Sequence, residues 1–290
     1  SDVALYDVTL AAPSNLQIAS TGTVIEEQMA GETTTYRIVT GPVRDFAVSF
    51  SDAFEVLTAY THGIAVNVWS YEGTEAENEQ AMEVAIDSLL TYDDQFGKYP
   101  FNEVDVIEAP ITAGGIEYPG LIFIMTDLWD TSVPFFEIVI AHEMGHQWWY
   151  SMVGNNQVSE PWLDEGLTEY SVEVYFRQQY GDAAAAGVRQ RYQDELAAWM
   201  RENAFMPVGL PAEVYGEDEY GVFVYRAGAL FYDKMVDDYG EAAVTAFLRD
   251  YYEQQRYQNS SNAELQALVE DHFGAEAGAF YRFWIYGERE

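Results

Sequence analysis

His142 and His146 bracket Glu143 in the stretch Ala141-His142-Glu143-Met144-Gly145-His146, an HExxH motif inside an apolar run with helical spacing. On an α-helix, positions four apart lie about 40° apart around the axis and one turn along it, so both imidazoles can reach a single ion. Glu143 points in a neighbouring direction, from which a carboxylate can take a proton from water at the open position of a divalent metal. The chain contains no cysteine. Thiolate metal ligands, a disulfide scaffold and a cysteine nucleophile are therefore excluded, and any metal must be held by histidines and carboxylates. Two imidazoles and a carboxylate suit several divalent ions, with zinc the commonest in a tetrahedral open site.

A third protein ligand is needed. The metzincin pattern would place Gly at position 149 and His at 152, where this chain has Trp149 and Met152. The remaining histidines, His62 and His272, lie far along the chain and read as ordinary surface or core residues. A carboxylate must serve, and the next helical stretch, WLDEGLTEY, offers Asp164, Glu165 and Glu169.

His142-Glu143-x-x-His146 followed after eighteen residues by Glu165 resembles the gluzincin zinc peptidases, and Trp162-Leu163-Asp164-Glu165-Gly166 resembles the WLNEG segment of the aminopeptidase N family, with Asp for Asn. The resemblance implies one zinc ion held by His142, His146 and Glu165, with Glu143 as general base. Gly114-Gly115-Ile116-Glu117-Tyr118-Pro119 is similar to that family's GxMEN exopeptidase signature, with Ile for Met and Tyr for Asn. It implies that Glu117 holds the substrate's free α-amino group, because a carboxylate paired with an ammonium selects which peptide bond reaches the metal. The backbone of Gly114 and Gly115 would then run beside an extended substrate, and Tyr118 would shape the first substrate pocket. Tyr225-Arg226-Ala227-Gly228-Ala229-Leu230 resembles the family's YxKGA segment, which implies a hydrogen bond from Tyr225 to the developing oxyanion. Tyr220 is a secondary candidate for that role. Glu169, one turn beyond Glu165, reads either as a support for a metal-bound imidazole or as a surface charge.

The elements that must position these residues change character along the chain. Residues 1–70 read as β: ALYDVTL, TTYRIV, DFAVSF, FEVLTAY and IAVNVWSY are short, rich in β-branched and aromatic residues, and separated by turn formers. From Gly73 the pattern turns helical through ENEQAMEVAIDSLLTYDDQFG, which stops at Gly97; strands are expected at 103–109 and 121–127. After Pro134 nearly everything reads as helix: the motif helix, ending before Gly154, then 161–180, 182–203, 222–238, 241–258, 262–273 and 277–286. Ser261 and Glu264 form a capping-box pair for the helix at 262. The expected fold class is α+β: the C-terminal part of an antiparallel β domain at 1–72, followed at 73–290 by a catalytic domain. The resemblance makes that domain thermolysin-like, with a small sheet and a mostly helical second half. It covers the chain from about residue 40 to the end, including FAVSF, FGKYPF and FYRFWIYG. Family members carry a fuller N-terminal β domain and many add a large helical C-terminal domain, and this chain has room for only the tail of the first. Its start is strand-like rather than leader-like, which reads as a piece processed or trimmed from something longer.

Composition narrows the partners. In 290 residues, 13 Lys and Arg face 49 Asp and Glu, a formal charge of −36, while 49% of residues are apolar and 16% aromatic. Such a chain has ample material for a core and is not disordered. It repels a phosphate backbone, so nucleic acid is excluded as a partner. No apolar stretch approaches the roughly 18 residues of a membrane span. Lysine appears only as Lys98 and Lys234; an acidic, Lys-poor, Cys-free surface fits a soluble protein in an extracellular, cell-envelope or high-salt setting. Peptides with a free N-terminus are the expected partners. The charge should favour cationic substrates, an effect that weakens with salt. Competing readings are a zinc endopeptidase in which Glu117 is structural, and a non-catalytic peptide-binding module of the same fold.

Overall fold

The computed structural model describes residues 2–288. These divide into two compact units: one from Asp2–Leu90 and Tyr99–Gln147, the other from Thr91–Lys98 and the chain beyond Trp148.

The first unit is rich in strands. β1 (Asp7–Pro13), β3 (Thr23–Ala30) and β4 (Thr33–Val39) form an antiparallel sheet in the order β1-β4-β3, while β2 (Gln17–Ser20) pairs with β5 (Val48–Ser51). A second sheet orders β6 (Glu55–Thr61), β7 (Ile64–Ser70), β8 (Glu103–Ala109), β10 (Leu121–Met125) and β9 (Gly115–Tyr118) as β6-β7-β8-β10-β9. Its central pairs, β7 with β8 and β8 with β10, are parallel, and the outer pairs are antiparallel. A parallel pair needs a long crossover, and helix α1 (Glu75–Gln95) lies in the connection between β7 and β8. β6 and β7 close through the two-residue turn His62-Gly63, both at positive φ (49° and 85°), the geometry that suits the right-handed twist of a hairpin. His62 is thus an exposed turn residue. The expected division at residues 72/73 is not where strand pairing divides the chain, since β6 and β7 share a sheet with β8–β10.

β9 was not expected as a strand. Its Gly-Gly entry and Pro-Gly exit read as loop, yet four residues pair antiparallel with β10, placing Glu117 opposite Ile122 and Ile116 opposite Phe123. The turn Tyr118-Pro119-Gly120-Leu121 has Pro at its second position and Gly120 at φ 71° at its third, the arrangement of a type II turn. The unit ends with α2 (Phe135–Gly145), which starts after Pro134 and packs on β9 and β10.

The second unit is helical, with α3 (Trp162–Tyr180), α4 (Asp182–Trp199), α5 (Glu217–Tyr220), α6 (Gly228–Tyr239), α7 (Glu241–Gln255), α8 (Asn262–Phe273) and α9 (Ala275–Tyr281). Wider π-helical turns follow α5 at Gly221–Ala227 and α9 at Arg282–Tyr286. The short strands β11 (Val153–Gly154) and β12 (Gln258–Asn259) pair in parallel. Ser261 caps α8 through the expected box with Glu264. The core is aromatic: Trp162 packs on Phe231, Tyr232 and Tyr281, and its indole N–H donates to Asn262 Oδ1 at 2.7 Å.

The motif helix is shorter than its apolar pattern. It stops at Gly145, with His146 as the C-cap, and residues beyond Gln147 fold into tight turns. Trp148 and Trp149 are buried there, their indoles donating to Gly97 O and Ser171 Oγ. Buried turns carry the same apolar residues as buried helix, so periodicity alone cannot mark the boundary. α4 and α7 likewise end a few residues before their expected limits, α7 because Tyr257 turns to positive φ ahead of β12. No described helix is long and apolar enough to cross a membrane.

Candidate metal centre

α2 is apolar on nearly every side, which buries it and carries its three polar motif residues into the interior: His142, Glu143 and His146 are 8%, 5% and 1% exposed. Burying such groups is costly unless they are bonded or ligating. The Nε2 atoms of His142 and His146 lie 3.1 Å apart, with the rings edge-to-face. Two imidazoles on one tetrahedral zinc, at about 2.0–2.1 Å from it, would hold their nitrogens about 3.3 Å apart. The pair is thus set for a shared ion. His142, His146 and Glu165 form a group in which each offers one ligand atom and all lie within 4.8 Å of one another. Its nitrogen and oxygen donors, with no thiolate, match a catalytic zinc set.

Glu117, Glu143 and His146 form a second such group, again within 4.8 Å. Here the register of β9 decides the outcome. Side chains alternate along a strand, so Gly115 and Glu117 share the face on which α2 packs, while Ile116 and Tyr118 face away. Gly115 meets the motif directly, because a Cβ at this position would overlap Cγ, Cδ and Oε1 of Glu143. A Cβ on Gly114 would make only ordinary contacts with Val139, Leu128 and Phe135. Tyr118 lies on the other face of β9. Its ring, partly buried, lies edge-on to Phe123 and packs on the cluster of Ala19, Phe54, Ile107 and Leu121, on the opposite face from Glu117.

In the helical unit, Glu165 sits half-buried in the first turn of α3 and accepts a hydrogen bond from the Tyr225 hydroxyl at 2.8 Å. Tyr225 lies in the π-helical turn before α6, where the wider backbone re-aims side chains and functional residues often occur. Tyr220 packs edge-on against it with ring centres 5.8 Å apart. The preceding Asp164 is buried and accepts from Asn155 and Gln157, each at 2.9 Å, which ties the start of α3 to the loop before it. Glu169 is not a surface charge. It is 3% exposed and paired with Arg226, whose Nε also donates to Glu195 at 2.7 Å. His272 pairs with Asp250 at 3.1 Å.

Two features escaped the sequence reading. Gly166 and Gly228 touch backbone to backbone, so that a Cβ on either would lie 2.8 Å from the Cα of the other. Each belongs to a segment that also supplies a site residue, Glu165 or Tyr225. Gln147 is fully buried directly after His146, and the one available signal was an uncharged polar residue following an apolar helix.

The Peptidase family M1 domain matches residues 80–284. The chain belongs to peptidase family M1. Among M1 relatives, Aminopeptidase M1-A of Oryza sativa subsp. japonica is 24% identical over 309 residues, covering 97% of this chain and 34% of the relative. Endoplasmic reticulum aminopeptidase 2 of Homo sapiens is 24% identical over 231 residues, 73% of this chain and 23% of the relative. The M1 zinc metallopeptidase from Deinococcus radiodurans shares the fold with a TM-score of 0.78 at 22% identity, over 98% of this chain and 64% of that one. The chain spans about a third of the length of the Oryza sativa relative.

Proposed function

We propose that this M1 chain is a zinc-dependent aminopeptidase that removes N-terminal residues from peptides. The observation that carries the reading is the group Glu117, Glu143 and His146, which sets a second carboxylate beside the HExxH glutamate. A general base needs one carboxylate. A further one at this distance fits an ammonium, and the free N-terminus of a peptide supplies one.

His142, His146 and Glu165 are the residues that would hold one zinc ion, which supplies a Lewis acid for the scissile carbonyl and a lowered pKa for attacking water. Glu143 takes the proton from that water and passes it to the leaving amine. The Tyr225 hydroxyl is a donor for the negative charge that develops on the carbonyl oxygen. Glu117 pairs with the α-ammonium, which sets the distance from the N-terminus to the cleaved bond. Gly115 keeps the space beside Glu143 open for the base. The acidic, Lys-poor, Cys-free composition supports an extracellular or cell-envelope setting.

Metal analysis combined with hydrolysis of matched free and N-acetylated peptides tests the reading. About one zinc per chain, cleavage of the free peptide alone and loss of cleavage on chelation are expected. Glu143→Gln should keep the metal while turnover falls by about 10²–10⁴-fold. Efficient cleavage of the acetylated peptide would make the enzyme an endopeptidase, and full turnover in Glu143→Gln would remove the base.

A further inference from the structure

We infer that Gln147 is a positioning residue that sets the height of Glu117 relative to Glu143; the inference rests on the proposed role of Glu117 as the amine anchor. Glu117 lies on β9, an edge strand of four residues that hydrogen-bonds to β10 on one side only. A strand so short and held on one edge has little of its own to fix it. Gln147 supplies a second restraint. Its Oε1 accepts the Gly120 N–H at 2.8 Å, and its Nε2 donates to the Tyr118 carbonyl at 3.2 Å. One amide therefore spans the turn that ends β9, from the residue after Glu117 to the residue before β10.

The other end of this strut is the motif itself. Gln147 follows His146, the C-cap of α2, and its side chain is 0% exposed. The end of the motif helix and the strand carrying Glu117 are thus joined by one buried and one part-buried hydrogen bond, in addition to the contact of Gly115 with Glu143. Only a residue that donates and accepts at once, at this reach, satisfies both backbone groups. Glutamate cannot donate to Tyr118 O, methionine matches the length with neither function, and asparagine is one methylene short. Loss of the amide leaves the Gly120 N–H without its acceptor in the interior and takes one donor from the Tyr118 carbonyl, which loosens the hold of α2 on the end of β9. A displacement of about 1 Å at a substrate-orienting group costs on the order of 10²-fold in rate.

The test is a double-mutant cycle on a peptide with a free N-terminus, read beside amide hydrogen exchange. Gln147→Met should lower kcat/KM by about ten- to a hundredfold with zinc content unchanged, and Gln147→Asn by a smaller factor. In a Glu117→Ala background the same changes should have almost no further effect, because the group they misplace is gone. The Gly120 amide should exchange slowly in the wild-type protein and much faster in either variant, with or without metal. If Gln147→Met does not fold, Gln147→Asn decides by the same two readouts. Full multiplication of the two effects in the double variant, or an unchanged Gly120 exchange rate, would overturn the inference while leaving the aminopeptidase reading intact. A wild-type protein inert towards the free peptide, or a Glu117→Ala variant as active as wild type, would overturn the reading and the inference with it.

Discussion

Glu143 occupies its place because Gly115 has no side chain. The motif helix delivers the carboxylate against β9, and a single added methyl at Gly115 would overlap its Cγ, Cδ and Oε1. The Gly-Gly pair suggests clearance for a substrate backbone; at Gly115 the space is taken by the Glu143 side chain. Gly115→Ala should therefore act through Glu143: zinc content stays at the wild-type level and kcat falls by on the order of 10²-fold. Parallel metal analysis and steady-state kinetics check this, and an unchanged kcat would mean that the base tolerates displacement. Tyr118 carries the complementary lesson. It adjoins Glu117 in sequence, but the period of two along a strand sends its ring into the cluster on the other face of the sheet.

Helices α3 and α6 hold Glu165 and Tyr225 through the closest contact available to two helices, glycine against glycine. Gly166 and Gly228 bring the backbones together, and the hydroxyl of Tyr225 then reaches Glu165 at 2.8 Å. A methyl group on either glycine must push the helices apart. Overpacking of a tight contact costs about 1–3 kcal/mol, so Gly166→Ala should lower the urea midpoint without altering the slope of the transition. A variant with the wild-type midpoint would show that this contact has slack. In the strand-rich unit, the long periodic segments α1 and β8 match their expected bounds closely, while β9 and the end of α2 do not. Both exceptions are short and rich in residues shared by turns and buried elements.

The whole molecule carries a formal charge of −36, and several of its carboxylates are buried as well. Asp105 in the centre of the sheet accepts from Asn67 and Trp69 at 2.8 and 3.0 Å; burial, reinforced by Glu103, pushes its pKa from 3.8 up to about 7. Burial also raises Glu103, Glu108 and Glu173, the last beside Asp233. A carboxyl with a raised pKa binds its proton more tightly in the folded state. Its contribution is present in full below the unfolded pKa and is lost as pH rises through the folded value. Growing self-repulsion of the acidic chain acts in the same direction. Thermal stability should therefore peak on the acid side of neutrality and decline towards pH 8. Asp105→Asn keeps an acceptor for both donors and removes the titration, so it should recover of order 2–4 kcal/mol of that decline. Melts of both proteins between pH 5 and pH 8 check this; parallel curves would show that Asp105 stays neutral or is solvated when charged.

Local pattern carried the reading of the chemistry. His142, Glu143 and His146 at helical spacing, with a carboxylate-rich segment eighteen residues on and no cysteine, left a metal hydrolase as the leading reading before any coordinates. It also set the type of nearly every long element, because a repeated period over many residues reports which face is buried. Tertiary structure decided the rest: that β9 is a strand, where α2 stops, which face Tyr118 takes, and why Gly115, Gly166 and Gln147 are the residues they are. Those answers depend on what lies across a gap of a few ångströms from a residue distant in the chain. Hydrophobic periodicity records that a side chain is buried, but not against which atoms.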